Sequence, residues 1–447
     1  LFVVSIKKTL TVALSAFLIS TCLAGCSNGN SASGKTTISV FNIKTEADAA
    51  YKKIVKAYEK SHPDVKVNFE SVGGSSDYGA TLKAKMASDP VCIFNVTGIS
   101  ERETWQSKLA DLSDQPWVSH CDKSYLEAVT TDDGKIYGMP TAIEGYGFMI
   151  NKEMFEYAGV DVESMFTFEG MKAGFDKLKR KIDSDDMKSK YPNLTAVMSL
   201  PAKETWVLGD HAINPILNKD FKTATEAFDA KTIPFSGADL YKRLIDFQVS
   251  YTSDADNPPA LNSVDYTNSF DGAFLLERVA CVQQGTWTLP TIKQFDGSSS
   301  DKMLDKIDMI PYNLPDGSSD GCYVVFPASN WVINKDVDES KVEASKDFLN
   351  WMYQSDEGKS LTTEECGFVT PFDNYGDLLP SDILNTRVMN AIKKRLTLNG
   401  TLANSCPDTW STKVAGANVQ KYISGTASWD DTIKASKEKW VEMRSGS

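Results

Sequence analysis

The feature that most restricts the fold is an alternation of extended and helical patterns that begins near residue 35. KTTISVFNI reads as a strand, EADAAYKKIVKAYEKSH as an amphipathic helix, VKVNFESV as a strand, YGATLKAKMAS as a helix and VCIFNVTG as a third strand. A β-α-β-α-β order predicts a parallel sheet covered by helices. At 447 residues the chain exceeds what one hydrophobic core ordinarily serves, about 250–300 residues, so a second lobe is expected. Ligands of open sheets bind beyond the carboxyl ends of the strands. That rule points to Lys44, Thr45 and Glu46 after the first strand, and to Thr97 and Gly98 after the third.

Ahead of this region, Lys7 and Lys8 precede an apolar run from Thr9 to about Ile19, followed by LAGC with Cys26 as its last residue. This is the pattern of a bacterial secretory signal ending in a lipobox. It predicts removal of residues 1–25 and a diacylglyceryl group on the Cys26 sulfur. Two acyl chains anchor a protein stably where one is marginal, and the run is shorter than the roughly 20 residues of a transmembrane helix. The expected location is the outer face of the cytoplasmic membrane. Residues 26–35 are rich in Ser, Gly and Asn and have nothing to bury, so they read as a flexible tether. Within them GNSASGKT, starting at Gly29, satisfies the phosphate-loop expression. A working loop of that kind opens a helix, whereas this one precedes the strand-like TTISVF, and no nucleotide site is expected.

The formal net charge of −13 argues against nucleic acid as a partner, because such partners call for a basic surface. Beyond the leader the cysteines are Cys92, Cys121, Cys281, Cys322, Cys366 and Cys406. None forms a CxxC pair and the chain has only three histidines, so neither a structural zinc site nor another cofactor is expected. Disulfides and free buried thiols both remain open. There is no HExxH motif to support metal-assisted chemistry.

SHPDVKVNFE, WQSKLADLSD, GKIYGMPTAIEGYGFMINKEMFEYAGV, GTWTLP, MIPYNLPDGS and KDFLNWMYQSDEGKSLTTEECGFVTPF follow one another along the chain. In that order they resemble extracellular solute-binding proteins, and specifically the carbohydrate-binding, maltose-binding-protein-like branch that serves ABC importers. The resemblance implies a two-lobed α/β periplasmic-binding-protein fold with three hinge crossings and a ligand cleft between the lobes. It implies a first lobe of residues 36–142 and 308–329 and a second of 143–307 and 330–447. It also implies a monomeric binding protein rather than an enzyme, with an oligosaccharide ligand and the membrane subunits of an ABC importer as partners. Thr97, Gly98 and Ser100 stand where the maltose-binding pattern has charged residues, which leaves raffinose-type galactosides, other plant oligosaccharides and glycan fragments open.

The same resemblance places Glu144 beside the hinge, facing the cleft, where a carboxylate can accept from adjacent sugar hydroxyls. Tyr146 shares its alternating face, and Phe148 reads as core. A pyranose offers flat C–H faces, so a sugar site needs rigid aromatic platforms beside its polar groups. Trp206 in KETWVLGD, Trp287 in QGTWTLP and Trp331 in ASNWVINK fall in segments the family places at the cleft, with Glu204 and Asp210 as flanking acceptors. Trp351 lies at helical spacing in KDFLNWMYQ and is expected in the core. Two other readings remain: a binding protein for a peptide or ion, and a glycoside hydrolase using two of Glu144, Glu204 and Asp210 as its carboxyl pair.

Overall fold

The computed structural model describes residues 34–73, 78–297, 302–407 and 409–445. The expected signal segment, Cys26 and nearly all of the tether lie outside these residues. Thr36 opens β1 (Thr36–Asn42) directly, so the GNSASGKT run leads into a strand and has no helix after it.

In the first sheet β1 pairs in parallel with β2 (Val65–Ser71) on one side and β3 (Ile93–Val96) on the other. Two helices make the crossovers, α1 (Asp48–Ser61) and α2 (Tyr78–Ser88). Ala50, Tyr51, Ile54, Val55 and Tyr58 form the buried stripe of α1, the three-and-four spacing that lays one helix face on a sheet. β3 then pairs antiparallel with β10 (Asn330–Ile333), which in turn meets β4 (Met139–Pro140), giving the order β2-β1-β3-β10-β4.

The second sheet is built around β5 (Ile143–Asn151), buried along its whole length. Its partners are β7 (Val279–Gly285) on one side and β9 (Tyr323–Pro327) on the other, with β6 (Ala196–Ser199) beyond β7 and β11 (Thr397–Asn399) beyond β9. β8 (Ile307–Ile310) also pairs with β5, next to Phe148–Asn151, while β9 takes Ile143–Tyr146. The chain passes between the sheets at 141–142, at 328–329 and between residues 367 and 383.

The pairing corrects the expected lobe boundaries after residue 307. Residues 308–329 belong with the second sheet, because β5 is long enough to take β8 and β9 end to end along one edge. Residues from 330 to about 375 return to the first lobe. There β10 supplies the antiparallel neighbour of β3, and the helix Glu339–Gln354 buries Phe348, Leu349, Met352 and Tyr353 in the first core. The chain re-enters the second lobe only with the helix Ile383–Lys394, whose Leu384 and Val388 pack beside Met149 and Met309. Among the described residues no helix is long and apolar enough to cross a membrane.

Candidate functional site

β1 and β3 run parallel, so the residues that follow them emerge on one side of the first sheet, and there the second lobe faces them across a cleft of about 940 Å³. Lys44, Glu46, Thr97 and Glu101 line the first-lobe wall; Glu204, Trp206, Asp210, His211, Tyr266 and Trp287 line the second. The volume lies within the range of sites that enclose a small ligand, about 300–1,000 Å³.

At the base of the cleft an ion cluster bridges the lobes. Lys44 Nζ lies 2.6 Å from Glu144 Oε1 and 3.1 Å from Glu46 Oε1. Burial alone would discharge Lys44, but two facing carboxylates outweigh it and hold its pKa above the usual lysine range. Glu144 is shifted upward, chiefly by burial and further by Glu46, with Lys44 opposing. The two directions agree once the cluster is counted as a whole: one ammonium serves two carboxylates, so the ammonium stays charged and the more buried acid ionises less readily. Glu144 therefore lines the cleft, with one of its two carboxylate oxygens, Oε1, accepting from Lys44.

The second-lobe wall is aromatic. Trp206 leads into a π-helical turn, Val207–His211, a distortion often found at functional sites. His211 stacks on Tyr146 at 4.4 Å, and both Trp206 and Trp287 approach its ring at 4.9 Å. Each indole is pinned: Trp287 Nε1 donates to Gln284 Oε1 at 2.9 Å, and Trp206 Nε1 to Glu204 Oε2 at 3.1 Å. Gly285 makes room for the first of these. A Cβ there would lie 2.4 Å from the Trp287 ring, although the backbone, at φ −142 and ψ −168, suits any residue. Glu204 also accepts from the Tyr266 backbone N–H at 3.1 Å, so it serves the wall as a brace.

Asp210 differs from these braced groups. The residue is half-buried, and its Oδ1 is closed off from solvent with no hydrogen-bond partner. An unsatisfied buried acceptor is costly, and Asp210 shares the cleft wall with the two half-buried indoles. Burial pushes the Asp210 pKa up to about 6, with Ser411 opposing. The folded state therefore takes up this proton before the unfolded chain does, and this group's contribution to stability falls as pH rises from about 4 to about 6. His211 runs the other way: burial lowers its pKa to about 4, with Gln283 opposing, so its contribution falls as pH drops from about 6.5 to about 4. Asp210→Asn is expected to unfold at higher urea than wild type at pH 7, by about 1–2 kcal/mol, and to lose that advantage near pH 4. An advantage equal at both pH values would show that Asp210 does not titrate in this window.

The structure brings together Lys44, Glu46, Thr97, Glu144, Glu204, Trp206, Asp210 and Trp287 at one cleft. Tyr146 lines it too, from beneath, while Trp331 and Gly98 stand elsewhere. Trp331 is 0 % exposed in the first core, edge-on to Tyr51 at 5.7 Å, with Nε1 donating to Tyr353 Oη at 3.1 Å. It sits on β10 opposite Asn95, on a strand flanked by β3 and β4, with its ring against Tyr51 of α1. Tyr146 is also 0 % exposed; its hydroxyl donates to the His211 carbonyl and its ring backs the aromatic wall. Gly98 is buried against the second lobe and does not line the cleft. Phe148 is core, stacked on Tyr312, and Trp351 packs edge-on to Tyr58. His211 and Tyr266 were missed. His211 owes its place to the π turn, and Tyr266 arrives from a distant segment with no local signal.

Cys92, Cys121, Cys281, Cys322, Cys366 and Cys406 are free thiols. Among the described residues no cluster of His, Cys, Asp or Glu has the makings of a metal site.

A family model described as bacterial extracellular solute-binding protein matches residues 53–385. The chain belongs to that family. Among similar members, the multiple sugar-binding protein of Streptococcus mutans is 24 % identical over 290 residues, covering 62 % of this chain and 64 % of its own. The melibiose/raffinose/stachyose-binding protein of Bacillus subtilis is 25 % identical over 159 residues, 34 % of this chain and 36 % of its own. The chain thus spans less than two thirds of the length of either relative. Among solved structures of the solute-binding fold, the GacH receptor of Streptomyces glaucescens, solved unliganded and with acarbose, superposes with a TM-score of 0.71 at 17 % identity. That match covers 92 % of this chain and 99 % of the receptor.

Proposed function

We propose that this solute-binding protein captures an oligosaccharide between its lobes and delivers it to the membrane subunits of an ABC importer. The observation that carries the reading is the second-lobe wall, where two pinned indoles flank His211 and the Asp210 carboxylate lines the same cleft. Flat apolar faces next to a hydroxyl acceptor match the alternating C–H faces and hydroxyl edges of a sugar. The sugar-binding relatives support the same class, and raffinose and stachyose head the candidates. In this reading Trp206, Trp287, Asp210, Glu46 and Thr97 contact the sugar, Glu204 and Glu144 orient the walls, and the protein acts as a monomer without catalysis.

Calorimetry with melibiose, raffinose, stachyose, maltotriose and a chitin oligosaccharide, against a peptide mixture, tests the class. Saturable heat with at least one sugar is expected, and heat with peptides alone would reverse the reading. Reducing sugar released during the same incubations would instead support a hydrolase. We further propose that Cys26 carries the lipid anchor on the outer face of the membrane, from the LAGC motif. Cys26→Ala is expected to abolish lipidation and leave uncleaved precursor or shed protein, and a variant that both fractionates and migrates as wild type does would refute the anchor.

A further inference from the structure

The lobes also touch away from the strand crossings, at residues of which only Asn404 lines the cleft. Ser100 Oγ, in the first turn of α3 (Ile99–Trp105), donates to the Cys406 carbonyl at 2.9 Å. Beside it the backbone N–H and the hydroxyl of Thr225 both donate to Glu127 Oε1, each at 2.9 Å. Between these bonds Ile99 and Ala128 of the first lobe bury themselves against Ala224 of the second, with Phe228 packed alongside. Arg102 Nε donates to the Ala128 carbonyl at 3.1 Å, so the two first-lobe pieces form one surface.

Gly98 shows how closely the surfaces approach. A Cβ on it would lie 2.2 Å from the Asn404 carbonyl oxygen of the second lobe. Its backbone, at φ −158 and ψ −178, is extended and open to any residue. The glycine is therefore required by the neighbouring lobe and not by its own conformation, and the requirement vanishes if the lobes separate.

We propose that this contact is a latch that sets affinity by favouring the closed arrangement, whichever sugar is bound. The lobes are joined covalently only through the crossings, so rotation about those segments would break every bond of the latch and expose Ile99, Ala128 and Ala224 to water, and that loss opposes opening. A ligand that binds only the closed form has an apparent dissociation constant equal to the intrinsic one divided by the closed fraction. Glu127, Thr225, Ile99, Phe228 and Gly98 then act as positioning residues: they change affinity through that fraction and touch no sugar. The sugar arm of the test rests on the function proposed above; the unliganded arm does not.

The test uses the full chain with Gly98→Ala, Glu127→Ala and the conservative Glu127→Gln, which keeps an acceptor for Thr225. Small-angle scattering and interlobe fluorescence transfer without sugar should show Gly98→Ala and Glu127→Ala more open than wild type, and Glu127→Gln close to it. Calorimetry with raffinose, stachyose and a chitin oligosaccharide should show each opened variant weaker by one common factor, about five- to tenfold, for every one of these that wild type binds. Unliganded dimensions equal to wild type in both opened variants would overturn the latch, as would losses that differ from sugar to sugar. If wild type binds none of the sugars, the scattering and transfer data still decide the latch, and the sugar reading falls alone. Should Gly98→Ala fail to fold, the Glu127 pair carries the same comparison.

Discussion

Trp287→Ala is expected to fold as wild type does and to bind its sugar about thirtyfold more weakly, a loss of about 2 kcal/mol. The indole is half-buried and lines the cleft, so its removal opens the binding surface without emptying the core behind it. It is also held before any ligand arrives, over Gly285 and by Gln284, so little entropy is lost when a sugar stacks on it. Gln284→Ala should keep the platform but free its orientation, and a smaller loss is expected. Trp206→Ala should resemble Trp287→Ala, since Trp206 stands on the other side of His211 with comparable exposure. Calorimetry on the three variants measures these losses. Wild-type affinity in both tryptophan variants would mean that the sugar lies on another wall.

Trp331→Ala is expected to do the reverse: a large loss of stability with the affinity of the remaining folded protein unchanged. Trp331 lies between α1 and the first sheet, against Tyr51 and Phe69, and its N–H is satisfied by Tyr353. Truncating a fully buried tryptophan typically costs about 3–5 kcal/mol, from lost transfer energy and the cavity left behind. Tyr353 would in addition lose its donor. Trp331→Phe fills part of the space and should lose less. Urea unfolding checks the order wild type, Phe, Ala. A Trp331→Ala protein as stable as wild type, with weakened sugar binding, would return this residue to the cleft.

The sequence alone determined the kind of layer each segment forms and where the cleft begins on the first lobe. Those features follow from periodicity and from the rule that parallel strands end on one side, which put Lys44, Glu46 and Thr97 on the first-lobe wall of the cleft. It also marked Trp206 and Trp287, through the resemblance of KETWVLGD and QGTWTLP to segments that the family places at the cleft. Only the tertiary structure decided the rest. β8 and β9 lie beside β5, and β10 beside β3, because strand pairing depends on which edges remain unfilled, a property of the whole sheet and not of any window of sequence. Trp331 and Trp287 are indistinguishable as letters. One is core because β10 is flanked on both sides in its sheet and covered by α1, and the other is cleft because it lies just beyond the end of β7. Glu144 was correctly placed beside the hinge, but its partner Lys44 is a hundred residues away, and such pairing exists only once the lobes have met.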